Sequence, residues 1–433
     1  MILLLTASFG HAFCGAYAGS ADQDIPTNSR SEVILVRDGK WTTLTLAADV
    51  EGDATDFALL MPIPDVLTAE DVTLVDPNLV EVVTTYGSPR AVVYTCDDAL
   101  EVSGPNLPIG CAGNIGCSDT ALSLGGGVVG EDAANTVVVE SAFTVGGYEL
   151  VVLSAEQSAD LWSWLDQNGY SIPASGQGVL QEYIDQGVYF LAAKINLDAA
   201  PDGAMFLNPL QLHYRAEAFA LPIRIGTISA AGEQEVVVHV FNDEDGGQAA
   251  IANYPEVALD HDCMWPADVT DFSDWYNGRL SENLGGDHGI AWTREHSWPV
   301  YSPSTDSSYH CDPCTSSGDF TYDQLAALGT SPNWDAVHYT RLRLRYLPQD
   351  ATEDLSLYLD GETGVKGQSR FIEYDHALEF LFPICDQGWA DDPGECESAR
   401  TSADPRYTGC AAYKGPLGFA VALSALLIRR RRT

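Results

Sequence analysis

Short apolar runs separated by Gly, Pro, Asp and Asn dominate the chain, and this pattern predicts a protein built mainly from strands. Val33, Leu35 and the run Trp41 to Leu46 flank Asp38-Gly39 and predict a hairpin with that pair as its turn. Phe57 to Met61 predicts a further strand. Later strands are predicted near residues 137–143, 148–153, 188–197, 209–216, 220–228 and 235–241.

Fewer segments have helical character. Asp76-Pro77 predicts the start of a helix that runs to about Tyr86. Ser154 and Gln157 predict a capping box for a second helix, which ends at Asn168-Gly169. Residues 178–185 and Tyr322 to Leu328 predict two more helices, whereas residues 260–320 are rich in Trp and are predicted to be irregular. The predicted fold class is therefore α+β, strand-dominated with a few short helices.

One segment, His338 to Tyr346, alternates with a period of two residues. Such alternation predicts a strand in a sheet that has one solvated face. The two faces carry Thr340, Leu342, Leu344 and Tyr346 on one side, and Tyr339, Arg341, Arg343 and Arg345 on the other. The pattern places the arginines on the solvated side, and the leucines at 355, 357 and 359 repeat the alternation.

Composition and charge narrow the class of protein. The chain has 433 residues, 45% of them hydrophobic, which is enough for one large domain over residues 13–376 or two packed halves dividing near residue 250. Sixty-two acidic residues face 21 basic ones, so the net charge of −41 argues against a nucleic-acid partner. A Gly- and Cys-rich insertion at 97–136 and a polar stalk at 377–409 are predicted outside the core.

Both ends of the sequence have the character of targeting segments. Residues 1–12 resemble the apolar and small-residue parts of a secretory signal that lacks its positive region, as expected if the signal begins upstream of Met1. At the other end, Leu417 to Ile428 is an apolar run followed by Arg429, Arg430, Arg431 and Arg432. A span with the arginines on the cytoplasmic side leaves the rest of the chain outside. We therefore expect an exported protein anchored in the cell envelope.

Export changes what the cysteines predict, because disulfides persist outside the cytoplasm. The chain is expected to be a disulfide-stapled extracytoplasmic domain, although the sequence leaves the pairing open. The candidates are Cys14, Cys96, Cys111, Cys117, Cys263, Cys311, Cys314, Cys385 and Cys396. Cys14 is a candidate only if the signal is cleaved before it.

Several stretches in the same order resemble the bacterial family known as domain of unknown function 2330, over about residues 13–376. They include Phe13-Cys14-Gly15, Val36-Arg37-Asp38-Gly39, the segment 56–64, Ser88-Pro89-Arg90, the segment 164–170, the segment 221–226, Asn253-Tyr254-Pro255, Cys311-Asp312-Pro313-Cys314 and Thr340-Arg341-Leu342-Arg343. The resemblance implies cleavage before Phe13, so that Cys14 is kept, and implies no activity or catalytic residue. Residues 410–433 resemble the myxobacterial C-terminal sorting signal, which implies a processing protease and envelope lipid as partners and Cys410 as the residue for sorting or lipidation.

Candidate chemistry is sparse. His310, Cys311 and Cys314 are compatible with part of a zinc site, with a thiol–disulfide exchange centre, or with a structural disulfide between the two cysteines. The loop-like surroundings favour the structural disulfide. His288, His296, His310 and His338 with Cys263 lack a helical metal-binding spacing and are interpreted as packing or surface residues. Residues 242–247 look faintly like a calcium loop but are predicted to be a turn. No cofactor is predicted, with calcium or zinc as the ions to consider.

These patterns favour a binding or structural module of the envelope rather than an enzyme, and they leave its ligand open. Two alternatives remain. One is an extracytoplasmic thiol–disulfide or metal-dependent enzyme centred on Cys311 and Cys314. The other is a calcium-dependent adhesin.

Overall fold

A computed structural model describes residues 15–20, 31–48, 57–92, 137–168, 170–173, 176–195, 209–230, 232–259, 263–264, 271–300, 320–362 and 369–373. The strands are β1 (Ala16–Ser20), β2 (Ser31–Asp38), β3 (Trp41–Ala48), β4 (Phe57–Ile63), β5 (Val72–Leu74), β6 (Arg90–Val92), β7 (Val137–Val145), β8 (Tyr148–Ala155), β9 (Tyr170–Ser171), β10 (Tyr189–Ile195), β11 (Leu210–Arg215), β12 (Ala220–Leu221), β13 (Gln234–Asp243), β14 (Ala249–Ile251), β15 (Cys263–Met264), β16 (Ala291–Val300), β17 (Val337–Tyr346), β18 (Leu355–Leu359) and β19 (Arg370–Glu373). The helices are α1 (Pro77–Gly87), α2 (Ser158–Gln167), α3 (Gln177–Asp185), α4 (Phe272–Asn283) and α5 (Tyr322–Leu328).

Two large sheets form the centre of the molecule. The first has six strands in the order β7-β8-β10-β4-β1-β9, and the second has seven in the order β16-β17-β13-β2-β3-β11-β5. Neighbouring strands in both sheets are antiparallel except for β13 and β2, which run parallel. Two three-stranded sheets, β12-β18-β14 and β15-β19-β6, complete the described strands. The fold is thus strand-dominated α+β, as the apolar pattern predicts.

The two large sheets pack face to face around the main hydrophobic core. Leu59, Met61 and Leu191 of the six-stranded sheet share one buried cluster with Val33 and Val238 of the seven-stranded sheet. Each sheet also buries its other face under helices, which explains strands that are apolar on both sides. The result is four layers, helix–sheet–sheet–helix.

The outer layers differ in chemistry. α2 and α3 cover the six-stranded sheet through an apolar cluster that includes Leu161, Leu165 and Leu180. On the seven-stranded sheet, α1 and α5 supply apolar contacts, among them Val83 and Leu325. α4 lies beside them with its own small cluster. Beside these apolar contacts, charged side chains are buried between the sheet and α1 and α4, and this layer holds the candidate site.

Most predicted elements are present, with local differences. The hairpin forms, but its two-residue turn is Gly39-Lys40, with Asp38 paired to Trp41 and Gly39 at a φ of 58°. The predicted capping box at Ser154 and Gln157 is wrong, because Gln157 is the N-cap and its side chain makes no capping hydrogen bond. The hydroxyl of Ser154 donates instead to Glu140, 2.6 Å away.

Two longer predictions also fail. The strand expected over 220–228 is limited to Ala220–Leu221, and a 3-10 turn follows at Ile225–Ile228. The region 260–320 was predicted to be irregular, yet it contains α4 and the ten-residue strand β16. The predicted turn after β13 is confirmed as a 3-10 turn at Glu244–Gly246.

The largest correction concerns β17. All ten of its residues are buried, so the arginine face is not solvated. The alternation itself is real, but both faces pack against protein: the leucines contact the core between the sheets, and the arginines lie under α1 and α4. A period of two residues reports two different environments and does not reveal which of them is water.

Candidate functional site

The helix-covered face of the seven-stranded sheet carries a cluster of ion pairs that we call the buried ion-pair network. Its six charged members are Glu32, Glu235, Glu295, Arg341, Arg343 and Arg345. Three carboxylates therefore face three guanidinium groups. They come from four consecutive strands of the sheet, in the order β16-β17-β13-β2. Buried charges of this kind persist only where each is paired and hydrogen-bonded.

A bulge in β16 makes the network possible. The register with β17 shifts between Arg294 and His296, so that Glu295 is the extra residue. Bulges redirect side chains and let two consecutive residues lie on the same side of a sheet. His296 then stands opposite Arg341 on the helix-covered face, and Glu295 reaches between Arg341 and Arg343.

Glu295 is the centre of the network. Its Oε2 accepts from Nε of Arg341 at 2.6 Å, and its Oε1 accepts from Nε of Arg343 at 2.5 Å. The hydroxyl of Tyr276 in α4 donates to the same Oε1 at 2.6 Å. Only 1% of this glutamate is exposed. One carboxylate thus joins two strands and a helix.

Glu235 extends the network along the sheet. Its Oε1 accepts from Nη1 of Arg343 and its Oε2 from Nε of Arg345, both at 2.6 Å. Arg345 then reaches α4, where Nη1 donates to the hydroxyl of Ser281 at 2.9 Å and Nη2 to the amide oxygen of Asn277 at 3.0 Å. α4 is therefore held to the sheet by polar contacts as well as by its apolar residues.

At the other end, Arg341 holds the C-terminus of α1. Its Nη1 donates to the carbonyl of Thr84 at 2.9 Å and to the hydroxyl of Ser88 at 3.0 Å. The last carbonyls of a helix carry partial negative charge, so a cation is favourable there. α1 has no basic residue in its own last turn, and the sheet supplies one.

A second chain of hydrogen bonds runs beside the ion pairs. The hydroxyl of Tyr339 lies 2.7 Å from Nδ1 of His239, and Nε2 of His239 lies 2.6 Å from a carboxylate oxygen of Glu32. Glu32 in turn lies 3.9 Å from Nη1 of Arg341. Strands β2, β13 and β17 are thereby connected through side chains as well as through their backbones.

Burial and pairing shift the titration of these groups. Burial opposes ionisation of Glu295, but Arg343 and Arg341 outweigh it and lower the pKa of that carboxyl to about 2. Burial lowers the pKa of His296 to about 3, with Arg341 adding repulsion. Burial also raises the pKa of the Tyr276 hydroxyl well above its usual value. At neutral pH the network thus holds an ionised Glu295 beside a neutral His296.

On the opposite face of the same strands, the fold forms a serine–histidine pair. Ser297 Oγ lies 2.8 Å from Nε2 of His338, and both residues have no exposed surface. Burial lowers the pKa of His338 to about 4. A nucleophile and its base need access to substrate, so the pair acts here as a buried hydrogen bond. No local sequence pattern indicates this pair, because the two residues are 41 positions apart.

Few of the sequence-predicted site residues lie in the described part of the chain. Cys263 is in β15, which pairs with β19. His288 is in an exposed turn, and His296 and His338 lie on opposite faces of the seven-stranded sheet. Within the described ranges, no group of three or more His, Cys, Asp or Glu side chains is arranged to hold a metal ion. The remaining candidates lie outside the described residues: Cys14, Cys96, Cys111, Cys117, His310, Cys311, Cys314, Cys385, Cys396, Cys410, Leu417 to Ile428 and Arg429 to Arg432.

Sequence patterns alone missed most of the network. Arg341, Arg343 and Arg345 stand out by their alternation, but Glu295 is 46 residues from Arg341 and lies in the segment predicted to be irregular. Glu235 is 108 residues from Arg343. One signal in the sequence does point to the network: three alternating arginines in a single predicted strand, in a chain with few basic residues, indicate carboxylate partners.

A family model described as "uncharacterized protein conserved in bacteria", domain of unknown function 2330, matches residues 9–358. The chain belongs to this family. The match covers β1 to β18 apart from the last residue of β18, and so contains the whole buried ion-pair network. The sequence resemblance indicated residues 13–376. The match starts slightly before residue 13 and ends before residue 376.

Other comparisons add little to the family assignment. No curated protein matches the chain. A crystal structure of baculovirus P35 is similar at a TM-score of 0.29 and 11% identity, over 77% of this chain and 96% of that one. A similarity of that size carries no argument about function. Among the described residues of this family member, no helix is long and apolar enough to span a membrane.

Proposed function

We propose that this member of the domain of unknown function 2330 family is an exported, envelope-anchored binding or structural module. In this proposal residues 1–12 direct export, residues 377–409 form a stalk, and residues 410–433 tether the chain. Cysteines in the body form disulfides in the oxidising space outside the cytoplasm. The tail meets a processing protease and envelope lipid near Cys410.

The observation that carries the proposal is the placement of charge within the described fold. Glu295, Arg341 and Arg343 are nearly or fully buried and are paired with one another. Catalytic groups must meet a substrate, whereas these groups contact strands and helices of the same chain. Their arrangement supports a rigid scaffold that presents its outer surface to a partner.

The charge of the whole chain supports the same proposal. A net charge of −41 keeps such a scaffold soluble outside the cell through mutual repulsion. It also disfavours anionic partners such as nucleic acids.

The test is the location and the thiol state of the full chain in cells of its own bacterium. We expect protease added to intact cells to digest the body, and we expect mass spectrometry to find a mature N-terminus at Phe13 and oxidised cysteines. A Cys410→Ser variant is expected to leave the envelope fraction, whereas a Ser402→Ala variant in the neighbouring stalk is the matched control. A full-length chain found in the cytosol with free thiols throughout would overturn the proposal.

A further inference from the structure

An exposed aromatic pair lies on the helix-covered side of the seven-stranded sheet, away from the buried ion-pair network. Trp41 is the first residue of β3, and 46% of its surface is exposed. Its ring stacks on His213 of β11, with ring centroids 4.9 Å apart and planes within 1° of parallel. Nδ1 of His213 lies 3.0 Å from the hydroxyl of Thr43, which fixes the imidazole. The indole is therefore held in position by His213, while about half of its surface remains exposed.

The neighbouring positions on the same face are covered. Gly329, at the end of α5, packs directly over Thr43, so closely that a Cβ there would lie 2.9 Å from the threonine side chain. The side chain of Gln211 donates to the carbonyl of Ala327 at 3.1 Å. Thr45 is fully buried. The helix layer therefore stops one position short of Trp41 and leaves the aromatic pair at its border.

Charged groups of both signs surround the pair. Arg215 and Asp38 are the register partners of Trp41 on the two neighbouring strands, so their side chains project to the same face. Lys40 and Arg215 approach Glu217 at 2.6 and 3.7 Å, and all three of these side chains are more than half exposed. The charges of these two cations and two carboxylates cancel locally. In the whole chain, by contrast, acidic residues outnumber basic ones by 62 to 21.

We infer that Trp41, His213 and this ring of charges form a binding surface for a neutral polysaccharide. The apolar C–H face of a sugar ring is complementary to a flat, exposed indole. Sugar hydroxyls both donate and accept, so they match a border that offers donors from Arg215 and Lys40 and acceptors from Asp38 and Glu217. A strongly anionic polymer would meet two local carboxylates and the negative field of the whole chain.

This inference rests on the proposed role as a binding module and gives that role a ligand class. Tyr358 is also 46% exposed, but it lies on β18, in a different sheet. It therefore provides a control with equal exposure.

The test is calorimetric titration of the full-length chain with cellohexaose, xylohexaose and maltohexaose. We expect at least one to bind, Trp41→Ala to weaken that binding about tenfold or more, and Tyr358→Ala to leave it unchanged. Because Trp41 is half exposed, its substitution should leave the melting temperature near that of the wild type. An Arg215→Ala variant should weaken binding several-fold through lost hydrogen bonds while Trp41 remains.

The salt dependence of binding distinguishes a neutral ligand from an anionic one. Binding of a neutral sugar should be nearly the same at about 50 and about 500 mM NaCl. Absence of binding to all three sugars, or tighter binding of polygalacturonate that collapses with salt, would overturn the inference. Export and anchoring are tested separately by location in the cell, so a failed titration overturns the sugar surface without affecting the proposed function.

Discussion

Gly87, the last residue of α1, allows the helix to approach the sheet. A Cβ at this position would lie 1.8 Å from the hydroxyl oxygen of Tyr339 and 3.0 Å from Cδ of Arg341. That hydroxyl is fixed by His239, so it cannot easily move away. We expect Gly87→Ala to destabilise the protein by about 2 kcal/mol or more through overpacking.

Gly178 of α3 is the matched control, because no atom lies within 4 Å of the Cβ that alanine would add. Gly178→Ala should be neutral or stabilise by about 0.5 kcal/mol, since alanine favours helix. Urea unfolding of the two variants measures the difference. Equal stability of both would show that α1 does not need this close approach.

Glu295 is the residue whose charge the network depends on most. Glu295→Gln keeps the shape of the side chain but leaves Arg341 and Arg343 without their shared carboxylate. We expect a loss of about 3 kcal/mol or more in the free energy of unfolding, as is usual for breaking a buried ion pair.

The surface pair of Arg279 and Glu282 gives the comparison, with 69% of the glutamate side chain exposed. Glu282→Gln should cost less than about 1 kcal/mol. Denaturant titrations at the same salt concentration compare the two. A loss for Glu295→Gln as small as for Glu282→Gln would contradict the central position assigned to Glu295.

At the scale of elements, helix ends offer a contrast between two N-caps. The hydroxyl of Thr321 accepts from the backbone of Gln324, whose side chain accepts from the backbone of Thr321, so α5 has a complete capping box. Thr321→Ala is expected to destabilise by about 1 kcal/mol. Gln157→Ala should change little, because Gln157 makes no capping bond. Thermal unfolding distinguishes them, and equal losses would contradict the assignment.

The sequence predicts best the elements whose start and end are determined by residues adjacent in the chain. α1 begins at Pro77 with Asp76 as its cap, as expected, because capping uses only neighbouring residues. The sequence analysis missed β16 because the buried residues of this strand include Thr293, Glu295 and His296. A strand that buries polar side chains lacks the apolar alternation by which strands are recognised.

The candidate site shows the same limit more sharply. The alternation of β17 predicts correctly that Arg341 and Arg343 share a face, because that depends only on backbone geometry. Whether that face meets water depends on α4 and on Glu295, which come from a different part of the chain. Contacts over such distances leave no periodic trace in the local sequence.

At the scale of the whole molecule, the four layers bury neutral histidines on both sides of one sheet. His296 and His338 have pKa values lowered to about 3 and about 4, mainly by burial. In the unfolded chain they take up protons near pH 6.5. Since the unfolded state binds more protons below that pH, stability is full above about 6.5 and falls as the pH drops toward 4.

His296→Gln tests this dependence, because glutamine cannot take up a proton in that range. We expect the decline in unfolding free energy between about pH 6.5 and 4 to become shallower, by up to about 1.4 kcal/mol per pH unit. His288→Gln, in an exposed turn, is the matched control for the loss of a histidine. The raised pKa of Asp354 acts in the opposite direction, but it is common to all variants and cancels in the comparison. Urea titrations at several pH values give the slopes. If His296→Gln and the wild type decline in parallel, the histidine is not held neutral in the folded protein, and the helix layer above it does not exclude water as the packing requires.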